Sequence, residues 1–315
     1  LTNIYKNLGY AYANVTPNSS IDQNSKTVDL NLEVEKGELI YINRIQIVGN
    51  TKTRDKVIRR QMRLYEGDLY SEAGLNASKS RIYQLGFFET VEITSEVADK
   101  NNHVNINVEI KEKSTGTFQL GAGFSSVESF IATAQISQNN FLGRGQALSL
   151  SAQLSFGDYA RQLATLQFYE PYFLDTMWSL GLNGYMTNHY YRDFVRKSTG
   201  ISPTFGYPIT PDLRINMGYT LEKIEISTDF GTGSTGPAVY NLNRDGLSSA
   251  VSGSVIYDTR DNRLFPTRGQ YHVLNYEISD QTLGAESDME FQRTNFSFKY
   301  YHPLWWTMVL KINSS

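Results

Sequence analysis

From about Thr117 onward, apolar and polar residues alternate in segments of about ten, joined by short turns. The stretch 148–156 sets the pattern. Leu148, Leu150, Ala152, Leu154 and Phe156 fall on one face of a strand, and Ser149, Ser151, Gln153 and Ser155 on the other. Oil on one face and small polar groups on the other suit a sheet with lipid outside and a watery lumen within. Periodicity predicts eleven strands: 117–125, 129–138, 146–156, 161–170, 177–188, 196–206, 212–226, 247–258, 269–279, 289–301 and 306–313. The cleanest alternations are Phe118/Leu120/Ala122/Phe124, Leu213/Ile215/Met217/Tyr219/Leu221 and Trp306/Met308/Leu310/Ile312.

The connections alternate too. Every second one joins Pro or Gly to aromatics: NNFLGRG, EPYFLDTMW, GYPITPDL, RLFPTRGQ and YHPLWW. The others are polar and variable: SSVES, GDYA, NHYYRDF and the long STDFGTGSTGPAVYNLNRDG. Antiparallel strands send alternate connections to opposite ends. One end is therefore short and aromatic and the other loop-rich, as at the periplasmic and external ends of an outer-membrane barrel. On this reading Trp178, Trp305 and Trp306, with Tyr172 and Phe173, mark the periplasmic membrane interface.

The first 113 residues follow other periods. LTNIYKNLGYAYANV reads as the end of a helix running into a strand, and Val28–Gly37 as a second strand. Residues 1–38 thus form part of a domain. Residues 39–113 form a complete one of order β-α-α-β-β. Ile40–Val48 is a strand. Thr53 or Asp55 caps a helix running to about Leu64, and Ser71 caps a second one that Gly86 stops. Phe87–Val97 and His103–Ile110 are strands around an Asp99–Asn102 turn. The expected fold is an α+β module, then an all-β antiparallel transmembrane barrel from about residue 114 to 315 that is incomplete in this chain.

Composition narrows the class. Mean hydropathy is −0.39, and no uncharged apolar run approaches the ~18 residues of a spanning helix. Aromatics reach 13%, which suits interfacial girdles. A net charge of −3 without charged blocks gives nucleic acid no support as a partner. Without cysteine there is neither disulfide nor thiolate metal site. His103, His189, His272 and His302 lie far apart, so no metal site is expected. GAGF at 121–124 lies on a strand, not at a helix start, and nothing resembles a nucleophile elbow. The reading is no enzyme and no cofactor. Leu1 begins inside a folded unit and Ser315 ends in or just after a strand, so an internal piece of a longer secreted protein is expected.

The bland alternatives are a soluble sandwich or propeller for the strands, a solvated hairpin with internal Arg–Asp pairing for Asp258–Gly269, and a solvated face for the arginines near residue 60. A sandwich would need a second sheet to cover its oily faces.

The motifs also carry a resemblance. IVGNTKTRDKVIRRQMRLYEGD and RIYQLGFFETVEI resemble the last POTRA domain of the BamA family of outer-membrane β-barrel assembly proteins. KEKSTGTFQLGAGFSS resembles that family's junction and first barrel strand, and QNNFLGRG, YEPYF, GYPI and DTRDNRLFPTRG its successive periplasmic turns. The resemblance implies five POTRA domains and a sixteen-stranded barrel. This chain would hold the end of the fourth POTRA, the fifth, and about eleven strands. It also implies the folding and insertion of β-barrel proteins into the bacterial outer membrane, with unfolded outer-membrane proteins, periplasmic lipoprotein subunits and outer-membrane lipid as partners. The family's V-R-G-F motif is absent and would lie beyond Ser315, and Gln61 stands where many relatives carry an acid.

Three sets of residues follow as candidates. The first barrel strand, with Thr117, Phe118, Gln119, Leu120, Gly121, Ala122, Gly123 and Phe124, is the expected pairing edge for substrate chains, its glycines thinning the packing. Arg54, Arg59, Arg60 and Arg63 are candidates for partner docking. Asp258, Arg260, Asp261, Pro266 and Gly269 form the periplasmic turn motif. In the α+β module, His103–Ile110 or Phe88–Val97 is expected to offer a free edge. The competing function is a POTRA-containing export pore of the two-partner secretion type, with a passive porin behind it.

Overall fold

The structure, a computed structural model, describes residues 1–22, 27–98, 101–157, 159–191, 194–227, 245–286, 290–305 and 308–314. Most of the long connection after residue 227, the start of the Asp99–Asn102 turn and Trp306 lie outside the described residues. The chain divides into two units, 1–115 with 142–145, and 116–141 with the residues from 146 onward.

The first unit opens with a short helix, α1 (Thr2–Asn7), and a hairpin of β1 (Asn14–Asp22) and β2 (Thr27–Glu35). The α+β module follows as β3 (Tyr41–Val48), α2 (Asp55–Arg59), α3 (Glu72–Gln84), β4 (Phe88–Val97) and β5 (His103–Glu112). Its sheet has the order β3-β5-β4, with β3 parallel and β4 antiparallel to β5. Alternation dictates the core. Val104, Ile106, Val108 and Ile110 share one face of β5 and are buried with Ile42, Ile45, Val57, Ile58, Met62, Ile82 and Phe88. Ser71 caps α3, its hydroxyl accepting from Gly74 N at 3.2 Å.

Two expectations need correction here. The first helix ends at Arg59, not near Leu64. Gln61 N and Met62 N bond back three residues, to Ile58 O and Arg59 O, and Arg63 N is taken by Ser78 Oγ of α3 at 2.8 Å. Leu64 then seats on Gly74, where any Cβ would stand 2.8 Å from Leu64 Cγ. Packing against α3 thus diverts the chain from its helical path. Second, His103–Ile110 is no edge. It lies in the central strand, because β5 pairs in parallel with β3 as well as antiparallel with β4. The outer strands of this sheet are β4 and β3.

The second unit is one sheet of eleven strands: β6 (Gly116–Ser125), β7 (Ser129–Phe141), β8 (Gln146–Phe156), β9 (Arg161–Glu170), β10 (Ser179–Tyr190), β11 (Val195–Pro208), β12 (Leu213–Ser227), β13 (Gly246–Asp258), β14 (Gly269–Ser279), β15 (Phe291–Pro303) and β16 (Val309–Ser314). The order is sequential from β6 to β16, and each neighbouring pair is antiparallel. In-register rows cross the sheet, such as Leu120–Ala134–Ala152–Ala164. No helix among the described residues is long and apolar enough to cross a membrane, which leaves crossing by strands open.

Candidate membrane surface and strand edge

The second unit wears its oil outside. On β8, Leu150, Leu154 and Phe156 are 51%, 46% and 57% exposed, whereas Ser155 is 2% exposed and Ser149, Ser151 and Gln153 are half-buried. The same parity continues on β12, where Met217 is exposed and Asn216 and Gly218 are half-buried. The polar face is stitched across strands. Ser202 and Thr220 hydroxyls lie 3.1 Å apart, Asn216 Nδ2 donates to Ser254 Oγ at 3.1 Å, and Thr117 meets Ser137 at 2.6 Å. Two ion pairs lie on this face: Arg196 faces Glu222 at 3.6 Å and Arg293 faces Glu277 at 3.7 Å.

Aromatics gather on the apolar face beside the short turns. Phe173 packs edge-on against Phe205 at 5.9 Å between ring centroids, and Trp178 lies 5.0 Å from Tyr207. Tyr257 and His272 continue the group at 6.0 Å. Phe205 and Tyr207 share their face with exposed Ile201. Tyr172 is half-buried and Trp305 exposed. Rings with an apolar body and a polar tip are suited to the boundary between acyl chains and headgroups.

The expected pairing edge, Thr117 to Phe124, lies on β6, an outermost strand of the sheet. It pairs with β7 from Thr117↔Ser137 to Ser125↔Ser129, and no strand among the described residues pairs with its other side. Phe118, Leu120 and Phe124 are exposed with Ala122 on the apolar face, while Gln119, Gly121 and Gly123 take the polar face. Among the described residues, one row of backbone donors and acceptors along this strand is therefore left without a strand partner.

The turn motif is a closed network. Arg260 forks onto Asp258 through Nε and Nη2 at 2.8 and 2.9 Å and stacks on Tyr271 at 4.4 Å. Asp261 accepts from Thr267 through its hydroxyl and its N–H, and from Arg268 N. These bonds, led by the Thr267 hydroxyl, hold the Asp261 carboxyl far below the usual carboxylate range. Asn262 Oδ1 accepts from Leu264 N and Phe265 N at 2.8 and 3.1 Å. Gly269 has φ +103°, and a Cβ there would stand 2.3 Å from Thr259 O, so this position requires glycine. Pro266 is half-buried.

The four arginines do not make one uniform patch. Arg59 is bonded to Asp55 at 2.8 Å and to Ile45 O at 3.3 Å, with Glu66 3.7 Å away. The bond to Asp55 raises its pKa. Arg60 Nε donates to Lys56 O. The side chains of Arg54 and Arg63 are exposed.

Reading the sequence missed Glu112. Its carboxylate closes β5 onto the loop before α2, accepting from Thr51 Oγ1 at 2.8 Å, Lys52 N at 2.9 Å and Thr53 N at 2.7 Å. Burial pushes its pKa up, but the bonds from Thr53, Thr51 and Lys52 prevail and hold it at about 2. The available signal was T-K-T just ahead of a helix start, a run that offers free N–H groups to an acid. No group of His, Asp or Glu among the described residues is arranged to hold a metal.

Against this geometry stand the similarities to known proteins. The Omp85 superfamily domain matches residues 140–314, more than half of the chain. The chain belongs to the Omp85 superfamily. A POTRA domain, described as a surface antigen variable number repeat, matches residues 40–113. Among Omp85 relatives, the outer membrane protein assembly factor BamA of Neisseria meningitidis is 30% identical over 292 residues, covering 86% of this chain and 36% of the relative. That of Nitratidesulfovibrio vulgaris is 27% identical, covering 96% of this chain and 38% of the relative. The chain thus spans well under half the length of these curated relatives. The crystal structure of BamA from Haemophilus ducreyi lacking POTRA domains 1–3 matches with a TM-score of 0.75 at 27% identity, covering 96% of this chain and 59% of that one. CdiB from Acinetobacter baumannii matches with a TM-score of 0.54 at 13% identity, a likeness of fold alone. The arrangement is a POTRA module followed by antiparallel strands of an outer-membrane barrel, with the module on the periplasmic side.

Proposed function

We propose that this chain is the part of an outer-membrane assembly factor that folds β-barrel proteins and inserts them into the membrane. A client strand cannot enter hydrocarbon until each of its backbone N–H and C=O groups is paired. An open strand supplies half of every such bond in advance, and the main chain carries the recognition, so clients of many sequences can be served. The observation that carries this reading is β6, paired with β7 on one side and, among the described residues, with no strand on the other. The work needs neither nucleotide nor nucleophile. Unfolded outer-membrane proteins are the proposed clients. Periplasmic lipoproteins are the proposed partners of the POTRA module, with exposed Arg54 and Arg63 as their first contacts; β4, the one of the two candidate strands that lies at the outside of its sheet, would receive client segments before they reach β6.

Adjacent residues of a strand point their N–H groups to opposite sides, so Gln119→Pro and Leu120→Pro each remove one, and only one of the two lies on the open side. In vesicles holding the complete protein, insertion of an unfolded barrel client should be lost in at least the variant that blocks the open side. The POTRA module should stay folded in both. Unchanged insertion in both would overturn the reading.

A further inference from the structure

The charged turn between β13 and β14 is more elaborate than a connection needs. Asp258, Asp261 and Asn262 spend their side chains on fixing its backbone, through the bonds to Arg260, Thr267, Arg268, Leu264 and Phe265 described above. What this frame presents is bare. Leu264 is 83% exposed and Phe265 79% exposed, in direct sequence between Arg263 and Pro266. Arg263 lies 3.6 Å from Asp258, its own side chain 83% exposed, while Asp258 is already engaged bidentately by Arg260. Arg268 is exposed, and it joins the network through its backbone alone, its N–H donating to Asp261 Oδ1 and its C=O accepting from Asp261 N. A rigid turn that holds two apolar side chains in water between two cations has a built-in cost, which a matching surface would offset.

We propose that this tip is an anchor for anionic lipid on the periplasmic leaflet. Leu264 and Phe265 enter the boundary between headgroups and acyl chains, and the guanidinium groups of Arg263 and Arg268 pair with lipid phosphate. Two observations select lipid over a protein partner. The tip lies at the same end of the sheet as the aromatic group of Phe173, Trp178, Phe205 and Tyr207, so it extends a membrane-facing surface already described. Its charge also complements phosphate: Asp258 is matched by Arg260, and the Asp261 carboxylate is turned onto the turn's own donors, so that Arg263 and Arg268 at the rim leave the tip with one net positive charge. Fixing the turn in advance reduces the ordering cost of binding. The inference rests on the membrane reading of the sheet but not on the assembly activity.

The chain has no cysteine, so single labels can be placed cleanly. A nitroxide at Leu264→Cys, in the full chain reconstituted in phosphatidylcholine vesicles with or without phosphatidylglycerol, reports contact with lipid-soluble oxygen against contact with an aqueous nickel chelate. A second nitroxide at Phe205→Cys reports the membrane-facing band. With phosphatidylglycerol present, the label at 264 should shift severalfold toward oxygen, and R263Q/R268Q should abolish most of that shift without moving the label at 205. Nickel-dominated relaxation at 264 beside oxygen-dominated relaxation at 205 would overturn the anchor while leaving the membrane reading intact. A lipid shift at 264 that ignores both phosphatidylglycerol and the arginine changes would overturn the phosphate pairing. Nickel dominance at both positions would instead fail the membrane reading itself. A label at 264 silent in both lipids, but immobilised on adding a periplasmic protein, would assign the tip to a protein partner and overturn the proposal.

Discussion

The POTRA module and the eleven-stranded sheet use the same period-two code and read it in opposite senses. On β5 the apolar residues Val104, Ile106, Val108 and Ile110 face inward and are buried under helices. On β8 the apolar residues Leu150, Leu154 and Phe156 face outward, while Ser155 is buried. Alternation fixes that a strand has two unlike faces; it does not fix which of them meets water. The surroundings settle that. β5 has α2 and α3 to cover its oil, whereas the sheet's apolar face carries no second layer of helices among the described residues. Lipid must provide the missing layer.

The contrast is sharpest under substitution. Phe88→Ala, at a site 1% exposed, should destabilise the module by about 3–5 kcal/mol in a denaturant melt, because it leaves a cavity in a closed core. The equivalent truncation Leu150→Ala should change stability in detergent far less. Leu150→Arg should behave in the opposite way, costing up to about 2–4 kcal/mol in lipid, as a charge does when turned into hydrocarbon. A cost for Leu150→Ala as large as that of Phe88→Ala would mean that the sheet's oil is a protein core.

A smaller effect tests the module's polar side. Glu112→Gln weakens three hydrogen bonds to a carboxylate and should cost about 1–3 kcal/mol near neutral pH. The Glu112 pKa is depressed in the folded state to about 2 from an ordinary value of 4.5, so the carboxylate's contribution is complete above 4.5. It should shrink as pH falls through that interval. Unfolding free energies of the wild type and E112Q should therefore converge toward pH 2. A constant gap across that range would show that Glu112 acts through shape rather than charge.

Much of this architecture is legible in the residues, and the exceptions have identifiable causes. Strands 146–156, 161–170 and 269–279 match their periodic segments because alternation, turn chemistry and a uniform meander agree. The first helix of the module was overextended, since Ile58 and Met62 keep helical spacing while Ser78 and Gly74, ten or more residues downstream, divert the backbone. The central place of β5 was hidden because the parallel pairing of Ile42 with Val104 spans two helices and leaves no local mark. In the turn motif, Arg–Asp pairing was foreseeable from Asp258 and Arg260 two residues apart. The exposure of Leu264 and Phe265 was not, because it depends on bonds that the side chains of Asn262 and Asp261 accept from backbone N–H groups and that only the folded turn reveals.

The inverted reading of the sheet can be tested residue by residue along one strand. Single cysteines from Leu148 to Phe156, in the reconstituted chain, can be challenged with a water-soluble maleimide that does not cross lipid. Reaction should alternate, with Leu148, Leu150, Ala152 and Leu154 protected in vesicles and Ser149, Ser151 and Gln153 reached by reagent entering from the polar side. Protection of the serines with free reaction at the leucines, or reaction without any period of two, would contradict the account.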